Sequence, residues 1–269
     1  GSLARHIRSQ HMHWICHPLF NGMQPGATAG GIAVVIDVLR ASTTIVTALA
    51  HGAAGVRPVL EVAEARALAA APEAPPGLLL GGERGGLRIE GFDLGNSPLE
   101  YTAARVGGHP IAITTTNGTA ALDACGGALE VLVGAVVNRS AVAERARLFA
   151  ERLGAGTIHL VCAGTDGAVT EEDLLAAGAI LDAAMRLPDG RHDTVDPAAH
   201  EALVGFRALN GPGGTAEPAT IAAAFAASRG GRNLLALGMQ PDLAAAAAID
   251  TLPVVPRLDS GSGWLIGET

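Results

Sequence analysis

The sequence predicts an α/β protein in which helices cover both faces of a largely parallel or mixed sheet, that is, a three-layer α/β/α sandwich. Short β-branched runs alternate with helix-like stretches along the chain, which is typical of a sheet built from βα units. Apolar residues make up 49% of the 269 residues and charged residues 16%, so a large core is expected and global disorder is excluded. The aromatic residues are only five Phe, two Trp and one Tyr. Small alanine side chains are therefore expected to pack helices closely against the sheet.

The predicted strands are short and mostly apolar. The run GIAVVI at 31–36 is a buried strand, because a continuous apolar run needs cover on both faces. Ser42 can cap the helix that follows it, up to residue 50. Residues 13–20 contain a proline and make a poor strand. The strands are predicted at 31–36, 56–60, 77–80, 111–114, 130–134, 157–162 and 252–255.

Helices are predicted between these strands. Residues 81–96 are expected to form a long glycine-rich loop, which at this length is functional or mobile. Ser97 and Pro98 then begin a helix. The stretch 188–215 is an excursion from the main sheet. Further helices are predicted at 42–50, 61–71, 138–153, 171–185, 200–209, 218–227 and 242–248, with another after the turn at Asn117 and Gly118.

This organisation predicts a single domain over residues 12–269. Residues 1–11 resemble a tag remnant, so the histidines among residues 6–17 are not interpreted as a metal site. The net charge of −8 disfavours a nucleic-acid-binding surface. No apolar run reaches the roughly 18–20 residues that span a bilayer. The three scattered cysteines are too few for a disulfide framework and favour a cytoplasmic protein.

Polar residues follow the first predicted strand at its carboxyl end, where open α/β sheets bind their ligands. Asp37 can ligate a hard cation through oxygen, and Arg40 can hold an anion by bidentate hydrogen bonds. Ser42 and Thr43 open a helix whose free N–H groups favour an anion. The structural alternative is that Asp37 and Ser42 only cap a turn and a helix.

Two glycine-containing segments follow. In GGERGG at 81–86, the glycines allow close backbone approach to a ligand, while Glu83 and Arg84 supply opposite charges. Asp93 and Asn96 precede a helix N-terminus, where the dipole stabilises a carboxylate or an anion. Flexible turns and helix caps are the alternatives. The glycine spacing matches neither a Walker loop nor a dinucleotide fingerprint.

A further polar segment follows the strand at 111–114. Hydroxyls, an amide and a glycine in Thr116, Asn117, Gly118 and Thr119 suit an oxyanion cradle. The alternative is an ordinary polar turn between strand and helix.

An acidic run at 171–173 opens a predicted helix. It is either a first turn that complements the helix dipole, or it brings Glu172 and Asp173 to the same edge as Asp37 as metal-binding carboxylates. Cys162, at the end of the preceding strand, has no basic neighbour in sequence and is interpreted as a small buried residue rather than a nucleophile.

In order and spacing these motifs resemble the 2-phosphosulfolactate phosphatase family, over about residues 31–185. The tail is less similar, and residues 12–30 depart from the pattern, because members of the family begin with a short strand. The matching segments are VVIDVLRASTTI at 34–45, GGERGG at 81–86, GFDLGNSPLEY at 91–101, TTTNGT at 114–119, VCAG at 161–164 and EEDLLAAG at 171–178.

The resemblance implies a magnesium-dependent hydrolase that releases phosphate from 2-phosphosulfolactate, a step of the coenzyme M biosynthesis type. The catalytic candidates are Asp37, Arg40, Glu83, Arg84 and Asp93. The phosphate- and substrate-binding candidates are Ser42, Thr43, Asn96, Thr116, Asn117, Gly118, Thr119 and Gly164. The candidate ligands of Mg²⁺ are Asp37, Glu172 and Asp173.

Several alternatives stay open. Leu39 occupies the second position of the Asp-x-Asp pattern of haloacid-dehalogenase-type phosphatases, so Asp37 is a metal ligand or a base rather than a nucleophile, with Glu83 and Asp93 as alternative bases. The substrate can be another small phosphorylated hydroxy acid or a sugar phosphate, because a family specifies a site better than a substrate. A non-catalytic phosphate-binding protein is the less favoured alternative. A homodimer is expected from the family and the alanine-rich helices.

Overall fold

The computed structural model describes residues 11–268, so the expected tag remnant lies almost wholly outside the described residues. The strands are β1 (His13–His17), β2 (Ile32–Ile36), β3 (Gly55–Pro58), β4 (Leu79–Arg84), β5 (Leu87–Arg88), β6 (Pro110–Thr114), β7 (Glu130–Val133), β8 (Thr157–Cys162), β9 (Thr194–Val195), β10 (Val255–Asp259) and β11 (Trp264–Glu268). The helices are α1 (Ala41–Ala50), α2 (Val62–Ala70), α3 (Ala103–Val106), α4 (Gly118–Ala124), α5 (Arg139–Leu153), α6 (Glu171–Arg186), α7 (Pro197–Arg207), α8 (Pro218–Ala227), α9 (Arg229–Ala236) and α10 (Gln240–Ala246).

One mixed sheet runs through the molecule in the order β5-β4-β6-β3-β11-β10-β7-β2-β8-β1-β9. Strand β2 pairs in parallel with β7 and β8, and β6 pairs in parallel with β3 and β4. The antiparallel hairpin β10–β11 lies between β7 and β3 and joins the two parallel groups. The predicted α/β/α sandwich with a largely parallel, mixed sheet is confirmed.

Every residue of the central strand β2 is buried, because helices cover the sheet on both sides. Helices α1 and α4 pack together over one face. Helices α5, α6 and α7 form the second layer, in which α6 packs extensively against α7. This two-sided cover explains why β2 is a continuous apolar run rather than an alternating one.

Aliphatic and alanine side chains make up most of the core. The largest aromatic side chains that are completely buried are Trp14, Tyr101, Phe206 and Phe225. Alanines from α1, α5 and α6 are buried beside them, as the composition predicted. Within residues 11–268, no helix is both long enough and apolar enough to cross a membrane.

The prediction that residues 13–20 make a poor strand is wrong. Residues 13–17 form β1, which pairs in parallel with β8 on one side and with β9 on the other. Trp14 and Cys16 point into the core while their neighbours are half-buried, so the segment does follow the two-residue period of a strand. The proline that argued against a strand, Pro18, lies just beyond its end.

The prediction of a loop at 81–96 is wrong for its first half, which contains strand residues. Strand β4 continues to Arg84 and pairs with the short strand β5 through Glu83 and Arg88. Glycines lower strand propensity, but pairing to neighbouring strands can override that weak preference. The segment is therefore a hairpin that extends the sheet at its edge.

The excursion at 188–215 returns to the sheet through β9 and α7. The Asp193 carboxylate accepts hydrogen bonds from the Met12 amide and the Trp14 indole, both at 2.9 Å. Asp196 accepts one from the Cys16 amide at 3.1 Å. These contacts anchor the excursion on β1.

The tail differs most from the prediction. The strand expected at 252–255 lies instead at Val255–Asp259, and β11 was not predicted. Helix α9 was also missed, because Gly230 and Gly231 disfavour a helix. Ser228 caps this helix by accepting a hydrogen bond from the Gly231 amide at 3.2 Å.

Candidate functional site

A cleft of about 400 Å³ opens at the carboxyl ends of β2, β4, β6 and β8. Ligands are expected at this edge of an open α/β sheet. Helix α9 forms the opposite wall. The cleft is lined by Asp37, Leu39, Arg40, Glu83, Gly85, Gly86, Asn96, Thr116, Asn117, Thr165, Asp166, Gly230, Asn233, Leu234, Ala236 and Leu237.

The turn after β2 is built by hydroxyl groups. The Asp37 amide donates to Ser42 Oγ, and the Ser42 amide donates to the Asp37 carbonyl, both at 2.8 Å. Thr43 Oγ1 donates to the Val38 carbonyl at 2.8 Å. Both Ser42 and Thr43 are buried and neither lines the cleft. They hold the backbone that presents Asp37. The helix cap predicted at Ser42 is wrong, because α1 begins at Ala41 and its N-cap residue is Arg40.

The Asp37 carboxyl is buried at the base of the cleft, and its pKa is raised to about 7. Burial is the largest cause, because it disfavours the charged form, and the negative charges of Glu83 and Glu172 add to it. Gly118, the first residue of α4, makes room for this carboxyl. A Cβ atom there would lie 2.8 Å from Asp37 Oδ2.

Glu83 also lines the cleft and is held in position by three hydrogen bonds. Its Oε1 accepts hydrogen bonds from the amide and the hydroxyl of Thr116, at 2.8 and 2.9 Å. Its Oε2 accepts one from the Gly86 amide at 2.7 Å. Glu83 therefore ties the loop after β6 to the hairpin of β4 and β5.

Asp173 connects the ends of two central strands. Its Oδ1 accepts from the Val38 amide and its Oδ2 from the Gly164 amide, both at 2.9 Å. The side chain is buried, and burial together with the charge of Asp37 raises its pKa well above the ordinary value. Gly164 thus contributes to the site as a donor to Asp173.

Glu172 is buried between α6 and α9. Its Oε1 accepts a hydrogen bond from the Gly230 amide at 3.0 Å, whereas its buried Oε2 has no partner among the described residues. A Cβ atom at Gly230 would lie 2.2 Å from Oε1, so a larger residue there would displace the Glu172 carboxylate. Burial raises the pKa of Glu172.

The donor chemistry of this region fits a hard divalent cation. Carboxylates at Asp37, Glu83, Glu172 and Asp173 share one region, and one buried carboxylate oxygen there lacks a hydrogen bond. In the described chain, no three His, Cys, Asp or Glu side chains are grouped closely enough to hold a metal by themselves. Mg²⁺ is usually held by one or two carboxylates, several waters and substrate phosphate oxygens. The residues therefore fit Mg²⁺, with Asp37 and Glu83 among the carboxylates that line the cleft.

Arg40 and Asn96 form another part of the wall. The Arg40 guanidinium pairs with Asp242 at 2.9 Å and donates to the Gly86 carbonyl at 2.6 Å. The side-chain oxygen of Asn96 is buried in the cleft wall and has no partner in the described part of the chain. An unpaired buried amide oxygen is costly unless a ligand or water satisfies it.

Two catalytic candidates lie away from the cleft lining. Arg84 donates to the carbonyls of Glu83 and Leu60 and to Thr114 Oγ1, at 2.7 to 3.1 Å. Asp93 is exposed and accepts a hydrogen bond from the Leu80 amide at 2.8 Å. In this structure both side chains hold the strands that carry the site.

The loop after β6 divides into two parts. Thr116 and Asn117 line the cleft. Thr119 is buried and donates to the Thr115 carbonyl at 3.1 Å.

Cys162 is a free, buried thiol, as predicted. A hydrogen bond with Cys16 is the largest cause that raises its pKa well above the ordinary value, and burial is the second.

Sequence reasoning missed part of the lining. Thr165 and Asp166 follow β8, so the rule that identified Asp37 could also have found them. Asn233 and Leu234 of α9 also line the cleft. The serine cap at Ser228 was the available signal for that helix.

The family is shown by comparison with known proteins. Residues 21–261 match the family model described as 2-phosphosulpholactate phosphatase. The chain belongs to this family. Its matched region includes all the candidate site residues.

Three relatives are named "Probable 2-phosphosulfolactate phosphatase". The protein from Symbiobacterium thermophilum is 43% identical over 88% of this chain and 95% of its own length. That from Deinococcus radiodurans is 42% identical over 86% of this chain and 88% of its own length. That from Synechococcus sp. is 41% identical over 87% of this chain and 92% of its own length. The similarity to 2-phosphosulpholactate phosphatases thus extends through most of the tail, beyond the segments recognised in the sequence.

Proposed function

We propose that this protein is a magnesium-dependent phosphatase that hydrolyses 2-phosphosulfolactate to sulfolactate and inorganic phosphate. Membership of the 2-phosphosulpholactate phosphatase family supports a phosphoric monoester hydrolase. The observation that carries the proposal is the convergence of Asp37, Glu83 and Thr116 from three strand ends on one cleft.

Phosphate monoesters hydrolyse very slowly in water, so an enzyme must stabilise the charge that develops on the phosphoryl oxygens. Asp37, with support from Glu172 and Asp173, would hold Mg²⁺, and the bound cation would supply that positive charge and polarise a water molecule. Thr116 and Asn117 contact the phosphate end of the substrate. Arg40 contacts the remaining anionic groups, and the Asn96 amide oxygen accepts a hydrogen bond from a donor such as a bound water.

The electrostatics of Asp37 agree with this role. A carboxyl with a pKa of about 7 in the metal-free protein loses its proton readily when a divalent cation binds. Glu83 is fully hydrogen-bonded and remains in place, which keeps negative charge beside the cation.

We also place the reaction in the cytoplasm and in a synthesis of the coenzyme M type. Support for the first point comes from the cysteines: Cys16, Cys125 and Cys162 are all free thiols, which suits a reducing compartment. The second point depends on the substrate and is tested with it.

The test measures phosphate release by the purified protein with and without Mg²⁺. The esters are 2-phosphosulfolactate, 2-phospholactate (which lacks the sulfonate) and a hexose phosphate. We expect Mg²⁺-dependent release that is fastest with 2-phosphosulfolactate. Asp37→Asn should lower kcat by about 10³-fold or more, since it removes a charge from the reacting centre.

The control is Asp182→Asn, which alters a buried aspartate paired with Arg186 and Arg207 on α6 and α7 and should leave kcat unchanged. Equal rates with 2-phospholactate would keep the phosphatase and remove the sulfonate requirement. Absence of release from every ester with every divalent metal would contradict the proposal.

A further inference from the structure

Arg40 is held by residues from distant parts of the chain. Its Nη1 donates to Asp242 Oδ2 at 2.9 Å and also contacts the Met239 sulfur, and its Nη2 donates to the Gly86 carbonyl at 2.6 Å. Ser97 Oγ in turn donates to Asp242 Oδ1 at 2.6 Å. The Arg40 and Asp242 side chains are each only 3% exposed. The guanidinium is therefore fixed on its far side by a buried, fully occupied carboxylate.

Part of the guanidinium has no partner among residues 11–268. Of the five N–H groups of an arginine, three are used in these contacts. The Nε–H and one N–H of Nη2 donate to no residue of the described chain. Arg40 lines the cleft, and so does Asn96 with its unpaired amide oxygen.

We propose that Asp242 is a positioning residue for substrate recognition. Together with Ser97 it orients Arg40 so that the two remaining N–H groups bind the non-phosphorylated anionic end of the substrate, its carboxylate or sulfonate. This inference rests on the proposed function, and it assigns a role in the site to α10. Without Asp242, the long arginine side chain would lose the partner that sets its orientation, while its charge would stay.

The test compares Asp242→Ala, Asp242→Asn and Ser97→Ala with the wild type. We expect Asp242→Ala to raise the KM for 2-phosphosulfolactate by about 10-fold or more, because a displaced binding group is costly even where it takes no part in the chemistry. The kcat should change by less than about 2-fold, since binding that is equal in ground and transition states alters KM alone.

Asp242→Asn should restore most of the affinity, because its amide oxygen can still accept from Arg40 while Ser97 turns its hydroxyl to accept from the amide nitrogen. Ser97→Ala should raise KM in the same direction by about 3-fold, which is the loss of one modest hydrogen bond. This variant carries the test if Asp242→Ala does not fold.

Coupling to Arg40 separates positioning from general support of the fold. In an Arg40→Lys background, Asp242→Ala should change KM by less than about 2-fold, because both substitutions remove the same interaction. Asp182→Ala is the matched control, since it also truncates a buried aspartate that pairs with arginines. It should lower the melting temperature and leave KM unchanged.

Binding of sulfolactate and of inorganic phosphate, measured by calorimetry, gives a readout that needs no turnover. Asp242→Ala should weaken sulfolactate binding and leave phosphate binding unchanged. If the wild type released no phosphate from any ester, the proposed function would fail, and these binding data would still decide the role of Asp242. Unchanged KM and sulfolactate affinity in folded Asp242→Ala, or effects that multiply with Arg40→Lys, would overturn the inference.

Discussion

At the scale of single residues, Asp37 combines burial with nearby negative charge. The folded state therefore holds a proton on this carboxyl more tightly than the unfolded state does, with a pKa of about 7 against the usual 3.8. A raised pKa contributes stability that is complete below pH 3.8 and is lost as the pH rises through 7. In the metal-free protein, an ionised Asp37 is thus a cost to folding.

We expect Asp37→Asn to stabilise the metal-free protein at pH 8 by about 5 °C, because neutralising a buried charge of this kind restores a couple of kcal/mol. The difference should shrink towards pH 5, where the wild-type carboxyl is already protonated. Thermal unfolding in a chelator, followed from pH 5 to pH 8, measures this.

For Asp182→Asn we expect a change in stability of the opposite sign. Burial opposes the ionisation of Asp182, but hydrogen bonds and charges from Arg207 and Arg186 outweigh it and lower its pKa. That variant should be less stable than the wild type at neutral pH and approach it as the pH falls through the folded pKa. A parallel pH dependence in the two variants would contradict the account of Asp37.

Gly118 sets how closely α4 approaches Asp37. In Gly118→Ala the new Cβ would lie 2.6 Å from the Ala41 Cβ and 2.8 Å from Asp37 Oδ2. We expect a loss of about 1–3 kcal/mol in unfolding free energy, typical of overpacking, together with lower activity. Urea unfolding and phosphate release measure the two effects.

The control for this substitution is Gly205→Ala in α7. No atom lies within 4 Å of the added Cβ there. Because alanine is a better helix former, this variant should gain about 0.5–1 kcal/mol. An equal loss in both variants would show that the contact at Gly118 is not the cause.

At the scale of elements, the acidic first turn of α6 serves as a clamp as well as a complement to the helix dipole. Asp173 binds the amides that follow β2 and β8. The sequence suggested either a dipole effect or a metal ligand, and the amide contacts were a third role that only the spatial arrangement reveals. Because both turns border the cleft, this clamp sets the spacing of the site.

Asp173→Asn should cost about 2–3 kcal/mol of unfolding free energy, since an asparagine can accept from only one of the two buried amides and the other loses its partner. Chemical unfolding measures the loss. The exposed Asp189, which caps no helix with its side chain, is the control, and its change to asparagine should be neutral. A neutral Asp173→Asn would contradict the clamp.

At the scale of the whole molecule, the hairpin β10–β11 joins the two parallel groups of strands. One paired position joins it to each neighbour: Arg257 is opposite Leu132 of β7, and Leu265 is opposite Val56 of β3. Leu265 is completely buried, whereas the next residue, Ile266, is 44% exposed. The stability of the assembled sheet should therefore depend on one face of β11.

We expect Leu265→Ala to lower the unfolding free energy by about 2–4 kcal/mol, as for other buried leucines. Ile266→Ala should cost less than about 1 kcal/mol, because little of its surface leaves water on folding. Thermal and urea unfolding of the two variants make the comparison. Similar losses would mean that the hairpin is not part of the common core.

The sequence by itself determined the class of fold, the strand that carries Asp37 and the loops that line the cleft. These follow from local patterns: a continuous apolar run and polar residues directly after strands. The same patterns located Glu83, Asn96, Thr116 and Asn117, since the carboxyl ends of neighbouring parallel strands share one edge.

Only the tertiary structure decided which polar groups face the cleft and which hold the backbone. Ser42, Thr43 and Thr119 satisfy buried backbone groups, and Arg84 and Asp93 brace strands, because each contact depends on a partner brought close by the fold. The same is true of Asp242, which is 202 residues from Arg40 in the chain and 2.9 Å from it in space. Local propensity is encoded in short windows, whereas hydrogen-bond partners, burial and pKa shifts arise from packing between distant segments.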